Sequence, residues 1–173
     1  MATLVEIVAA VDAFMAAPKR IVGHDSPRQW KDGFTAHERE LKYPLQVGGE
    51  LSGAHLMIVG FPRERSLKFR IGILFPAMVC RLDYTDETHG NSLTGVNLGA
   101  VPAEVSGPHY HSWPLNRHFF HAITKPLKLR DATPYLEAGR TFDAILRWFC
   151  NDTNIEQLPT NHLIALMRAE TLF

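Results

Sequence analysis

Two runs of strictly alternating side chains, separated by a short turn, constrain this chain more than any other feature. Leu67, Phe69, Ile71 and Ile73 alternate with Lys68, Arg70 and Gly72. Beyond Pro76, Met78, Cys80, Leu82 and Tyr84 alternate with Val79, Arg81 and Asp83. A period of two sends successive side chains to opposite faces, so each run predicts a half-buried strand. The short separation predicts that the two pair as an antiparallel hairpin. A sheet apolar on one face needs helices to cover that face. Thr3-Leu4-Val5-Glu6 is a capping box, and Leu4, Ile7, Val8, Val11, Phe14 and Met15 follow at helical spacing before Pro18. The spacing predicts a helix over 3–17. Thr133-Pro134 reads as N-cap and first position of a second helix, with Leu136, Phe142, Ile145, Leu146 and Phe149 as its apolar stripe and Asn151-Asp152 as its stop. The expected fold class is α+β: a twisted antiparallel sheet with an N-terminal helix and a C-terminal helix packed on it. Residues 1–173 are expected to form a single domain.

Between these elements the signals are weaker. Residues 18–32 read as irregular, Phe34 to Tyr43 as a polar edge strand, and His55 to Phe61 as a short strand. Gly48-Gly49 and Ser52-Gly53 punctuate, and Pro62 to Arg65 is a turn. Residues 85–108 read as one long connection, of the length that is functional or disordered. Arg117 to His121 reads as a strand, and a short helix is expected around His162 to Met167.

Composition removes several classes. A chain of 173 residues buries enough surface to fold without disulfide or metal. Lys+Arg and Asp+Glu balance at 18 each, so no global field draws in nucleic acid or an acidic membrane. Any RNA partner would need a local basic patch. Cys80 and Cys150 sit inside apolar runs, read as reduced core thiols, and form no CxxC of the zinc-finger kind. The N-terminus lacks a basic region, Glu6 and Asp12 interrupt its apolar stretch, and no run approaches a membrane span. The expectation is a cytoplasmic protein with no membrane partner.

The chemistry-bearing residues cluster. Five of the nine histidines, His89, His109, His111, His118 and His121, fall within 33 residues. Asp83, Asp86, Glu87, Asn91, Arg81 and Arg117 lie in or beside that window. Histidine titrates near neutral pH and binds metals, which makes the clustering informative. If Pro108 to Trp113 is extended, His109 and His111 share a face roughly 6–7 Å apart. Two same-face imidazoles can hold one metal ion, with a third ligand from His89, Asp83 or Asp86. They can also flank a phosphodiester, one removing the 2′-hydroxyl proton and the other protonating the leaving oxygen, while Arg81 or Arg117 stabilises the phosphate charge. Asp83 and Arg81 share a strand face, so they can equally form a structural ion pair. As a strand, Arg117 to His121 would bring only one histidine to the site, and His118 is the one expected. His24, His37, His55 and His162 read as structural or surface residues. The chain has no GxGxxG, P-loop, HExxH, GxSxG or zinc-deaminase pattern. A cupin-like reading fails because Ser112-Trp113-Pro114-Leu115-Asn116, and no glutamate, follows the HxH.

The element order over residues 67–150 resembles that of prokaryotic toxins of the TumE type. The matching residues are Arg81-Leu82-Asp83, His109-Tyr110-His111, Phe119-Phe120, and the helix carrying Phe142 and Phe149. The connection from Asp83 to His109 is longer than that pattern, and residues 1–60 have no counterpart in it. The resemblance implies an RNA-directed or translation-blocking toxin with a cognate antitoxin protein. Three readings therefore stay open. The first is a toxin-like or defence-related nuclease with His109, His111, His89, Asp83, Arg81 and His118 as catalytic candidates. The second is a metal-dependent hydrolase or oxygenase whose His109, His111 and His89 bind the ion. The third is a non-catalytic binding module. The cofactor is accordingly none or one divalent transition metal.

Overall fold

The computed structural model describes residues 3–25, 28–64, 66–92, 99–120, 128–137 and 139–159. Helix α1 (Leu4–Ala16) opens with the predicted capping box: Glu6 accepts from the Thr3 amide at 2.6 Å, and Thr3 Oγ1 accepts from the Glu6 amide at 3.3 Å. Strands β1 (Lys19–Ile21), β2 (Lys31–Asp32), β3 (Arg39–Val47), β4 (Glu50–Gly60), β5 (Phe69–Leu74) and β6 (Met78–Tyr84) follow. A small hairpin of β7 (Thr88–Gly90) and β8 (Glu104–Ser106) precedes β9 (His109–His111). Helix α2 (Trp113–Asn116), a 3₁₀ turn (Arg117–Phe119), β10 (Thr133–Pro134) and α3 (Phe142–Asp152) complete the described elements.

Among the described residues eight strands form one sheet, in the order β1-β3-β4-β5-β6-β9-β10 with β2 also on β3; β7 and β8 pair separately. All these pairings are antiparallel. The fold is α+β, as expected. One sheet face carries Leu41, Tyr43, Leu56, Ile71, Ile73 and Leu82 into a core shared with Val11 and Phe14 of α1 and Ile145 and Phe149 of α3. Each such side chain, fully buried, contributes about 1.5–3 kcal/mol. Phe69 meets Phe142 edge-on at 4.8 Å and ties α3 to β5. Alternation sends Arg70, Arg81, Asp83, His109 and His111 to the opposite face. Cys80 and Cys150 are free and buried, and burial pushes both thiols up to about 12.

The β5–β6 hairpin forms as the alternation predicts, with a bulge between Ile73 and Leu74. The Gly48-Gly49 turn closes β3 onto β4 with φ of 60° and 89°, the left-handed pair that a two-residue hairpin needs. Ser52-Gly53 does not end a strand; Gly53, at φ 76°, lies inside β4 opposite the irregularity between Pro44 and Gln46.

Several expectations are corrected. Residues 18–32 contain two strands, too short for periodicity to register. Strand β3 is interior and not an edge, because β1 and β2 pair with one side of it and β4 with the other; its polar Lys42 and Gln46 face away from the core while Leu41, Tyr43 and Leu45 enter it. The connection 85–108 carries the β7–β8 hairpin. Thr133-Pro134 is strand β10, on the sheet edge where proline's missing N–H is tolerated. The α3 N-cap is Thr141, whose Oγ1 accepts from the Ala144 amide at 3.3 Å, and Leu136 is exposed. Arg117 begins a 3₁₀ turn because Pro114 starts a helix one turn earlier. His121 and the helix expected around His162 lie outside the described residues. No described helix is long and apolar enough to cross a membrane.

Candidate metal centre

Register builds the site. Strand β9 pairs with β6 so that His109 lies opposite Asp83 and His111 opposite Arg81. Directly opposed residues share a face, so all four project from the side of the sheet away from the helices. Both imidazoles and the Asp83 carboxyl are buried. Strand β7 brings in His89, whose ring centroid lies 5.4 Å from that of His109 and 4.6 Å from that of His111. One ring nitrogen from each histidine falls within 4.8 Å of the other two.

One nitrogen of each ring is committed to the backbone. His109 Nδ1 lies 2.7 Å from Gly107 O, His111 Nδ1 3.0 Å from Asp131 O, and His89 Nε2 2.9 Å from Arg130 O. A carbonyl only accepts, so each of these nitrogens carries the proton and donates it. The neutral tautomer therefore leaves a lone pair on His109 Nε2, His111 Nε2 and His89 Nδ1. Fixing one nitrogen by a backbone carbonyl while the other stays open is how proteins present histidine to a metal. His111 Nε2 is buried and has no hydrogen-bond partner among the described residues.

Asp83 closes the group. Its Oδ2 lies 3.3 Å from His109 Nε2 and 3.6 Å from His111 Nε2. A tetrahedral ion with ligands at about 2.0–2.1 Å would separate neighbouring donors by about 3.3 Å. Arg81 grips the same carboxylate in a fork, Nε to Oδ1 at 2.6 Å and Nη2 to Oδ2 at 2.7 Å. Burial pulls the Asp83 carboxyl up, but the neighbouring His109 and His111 imidazoles and the Arg81 guanidinium outweigh it and hold the group well below the usual carboxylate range. The two imidazoles diverge. Burial lowers both, yet the Asp83 carboxylate and the Gly107 carbonyl leave His109 raised overall, whereas His111 stays lowered. Without an ion, one proton is thus best held on His109.

The carbonyls are themselves held in place. Fully buried Asn116 accepts from the Arg130 and Asp131 amides at 2.7 and 3.0 Å, and its Nδ2 donates to Asp131 O at 2.8 Å. Asn91 accepts from the Ala132 amide at 2.7 Å and donates to Ala132 O at 2.9 Å. Together they clamp the segment whose carbonyls orient His89 and His111. Sequence reasoning missed Asn116 and the 130–132 segment. No local motif marks a residue that acts through a backbone carbonyl fifteen positions away.

The structure brings together His109, His111, His89, Asp83 and Arg81. It does not bring His118, which lines a cleft against α1 with Val8 and Asp12 and lies tilted against Phe119. Arg117 pairs with Asp12, and Asp86 pairs with Lys68 at 2.6 Å, so neither reaches the centre. The reason for the first two is the helical turn at Trp113–Phe119, which carries residues 117 and 118 to the α1 side. Trp113 and Phe120 are core residues. No protein-family model matches the chain, and neither a curated protein nor a solved structure matches it.

Proposed function

We propose that the protein is a mononuclear metalloenzyme. In this reading His89, His109 and His111 hold one divalent transition-metal ion, with Asp83 as the carboxylate ligand. The observation that carries it is the set of three imidazole nitrogens within 4.8 Å, with one nitrogen of each ring pinned to a backbone carbonyl. Three imidazoles and one carboxylate suit zinc, iron, cobalt or manganese. Such an ion supplies Lewis acidity and lowers the pKa of bound water, which supports hydrolysis. The same ligands around a redox-active ion would serve an oxygenase, and the ion taken up decides between them.

Metal-free acid/base cleavage of RNA is less well supported. His109 and His111 are 3% and 0% exposed, and both Nε2 atoms converge on the Asp83 carboxylate, an arrangement suited to holding an ion between them rather than to flanking a phosphodiester. The toxin-like activity and the antitoxin partner stand on the element order alone.

Elemental analysis of untagged protein purified without chelators tests the proposal. About one equivalent of a transition metal per chain is expected. Protein that is metal-free, and stays so after incubation with zinc, iron, cobalt and manganese, would rule it out.

A further inference from the structure

The charges around the centre point to what it binds. Three of its ligands are neutral imidazoles, and the fourth, Asp83, is already matched by the Arg81 fork at 2.6 and 2.7 Å. Arg70 lies 3.8 Å from Asp83 Oδ1 and 3.5 Å from both Glu38 and Glu87. Two arginines and three carboxylates sum to a charge of −1, so a bound dication brings the group to +1. A positive site of this kind selects an anion.

Arg81 also has donors to spare. Asp83 occupies only Nε and Nη2, and Nη1 has no partner among the described residues. The side chain is 31% exposed where Asp83 is 6% exposed, so Arg81 stands on the solvent side of the buried carboxylate. A guanidinium edge beside a metal ion matches two oxygens of one oxyanion.

We infer that the centre binds an oxyanion, a carboxylate or phosphate group of its substrate, with one oxygen on the ion and another on Arg81. This rests on the metal-centre reading above. The test uses protein loaded with cobalt(II), whose visible bands report the coordination shell, titrated with acetate, inorganic phosphate and the neutral isostere acetamide. The bands shift saturably with an oxyanion and not with acetamide. Acetate alone acting identifies a carboxylate, phosphate alone a phosphate group. Arg81→Met, loaded at a cobalt concentration that saturates it, binds the anion about tenfold more weakly, the loss of a charged hydrogen bond. Arg81→Lys, which keeps the charge without the fork, falls between. A cobalt centre indifferent to both anions overturns this inference alone, as does anion binding unchanged in both variants. Failure to bind cobalt overturns the metal reading and this inference with it.

Discussion

His111→Ala loses zinc affinity by more than about 100-fold, because even residues that only orient metal ligands cost 10–100-fold when removed. His111 is fully buried and directly faces Asp83 and both partner histidines, so among the described residues no other histidine, cysteine or carboxylate joins the group to substitute for it. His118→Ala leaves affinity unchanged, since His118 lies in the cleft beside α1. Competition with a chromophoric chelator measures both variants. The parent also gains about 4 kcal/mol of stability at a free metal concentration a thousand times the dissociation constant. His111→Ala gains about 1.4 kcal/mol or less at the same metal concentration. Equal metal affinity in parent and His111→Ala would remove His111 from the centre.

Lys19→Met lowers stability by about 1–3 kcal/mol at pH 7.5, the scale of leaving buried acceptors without their donor. Lys19 is fully buried at the meeting of the two main helices. Its ammonium donates to Met15 O at 2.9 Å, Ala17 O at 2.8 Å and Thr153 O at 2.8 Å, binding the C-terminal ends of α1 and α3 together. Methionine fills similar volume but leaves three carbonyls without this donor. Burial pushes the Lys19 ammonium down to about 8, from 10.5. Between those values the unfolded chain binds the extra proton, so this group's contribution to stability rises with pH. The gap between parent and variant therefore widens by about 1 kcal/mol or more from pH 7.5 to 9.5. Cys80 and Cys150 are common to both proteins, so their opposite pH dependence cancels in the difference. Urea unfolding at the two pH values decides; a gap that narrows would contradict this account of Lys19.

Lys19 also shows where sequence falls short. A lysine after Pro18 reads as solvated, and only the return of Thr153 from the far end of the chain makes it a clamp. The central hairpin was legible because alternation over Phe69–Leu74 and Met78–Tyr84 records local burial directly. The same rule placed His109 and His111 on one face, and Arg81 and Asp83 on one face of β6. It did not say that the two faces coincide, which depends on the register of β6 against β9. His89 was a candidate third ligand, but its arrival depends on the β7–β8 hairpin, hidden in what reads as a long loop. His118 was misplaced because Arg117 to His121 alternates passably as a strand, while Pro114 one turn earlier had already set a helix. Thr133-Pro134 misled in a similar way. Its residues suit a helix start and an edge strand alike, and pairing with Tyr110 and His109 decides for the strand.

The most direct measurement on the central claim is X-ray absorption at the zinc edge of the zinc-loaded protein. The account predicts three imidazole nitrogens and a carboxylate oxygen at about 2.0–2.1 Å. A shell of oxygens with one imidazole or none would mean that His89, His109 and His111 do not build a metal centre.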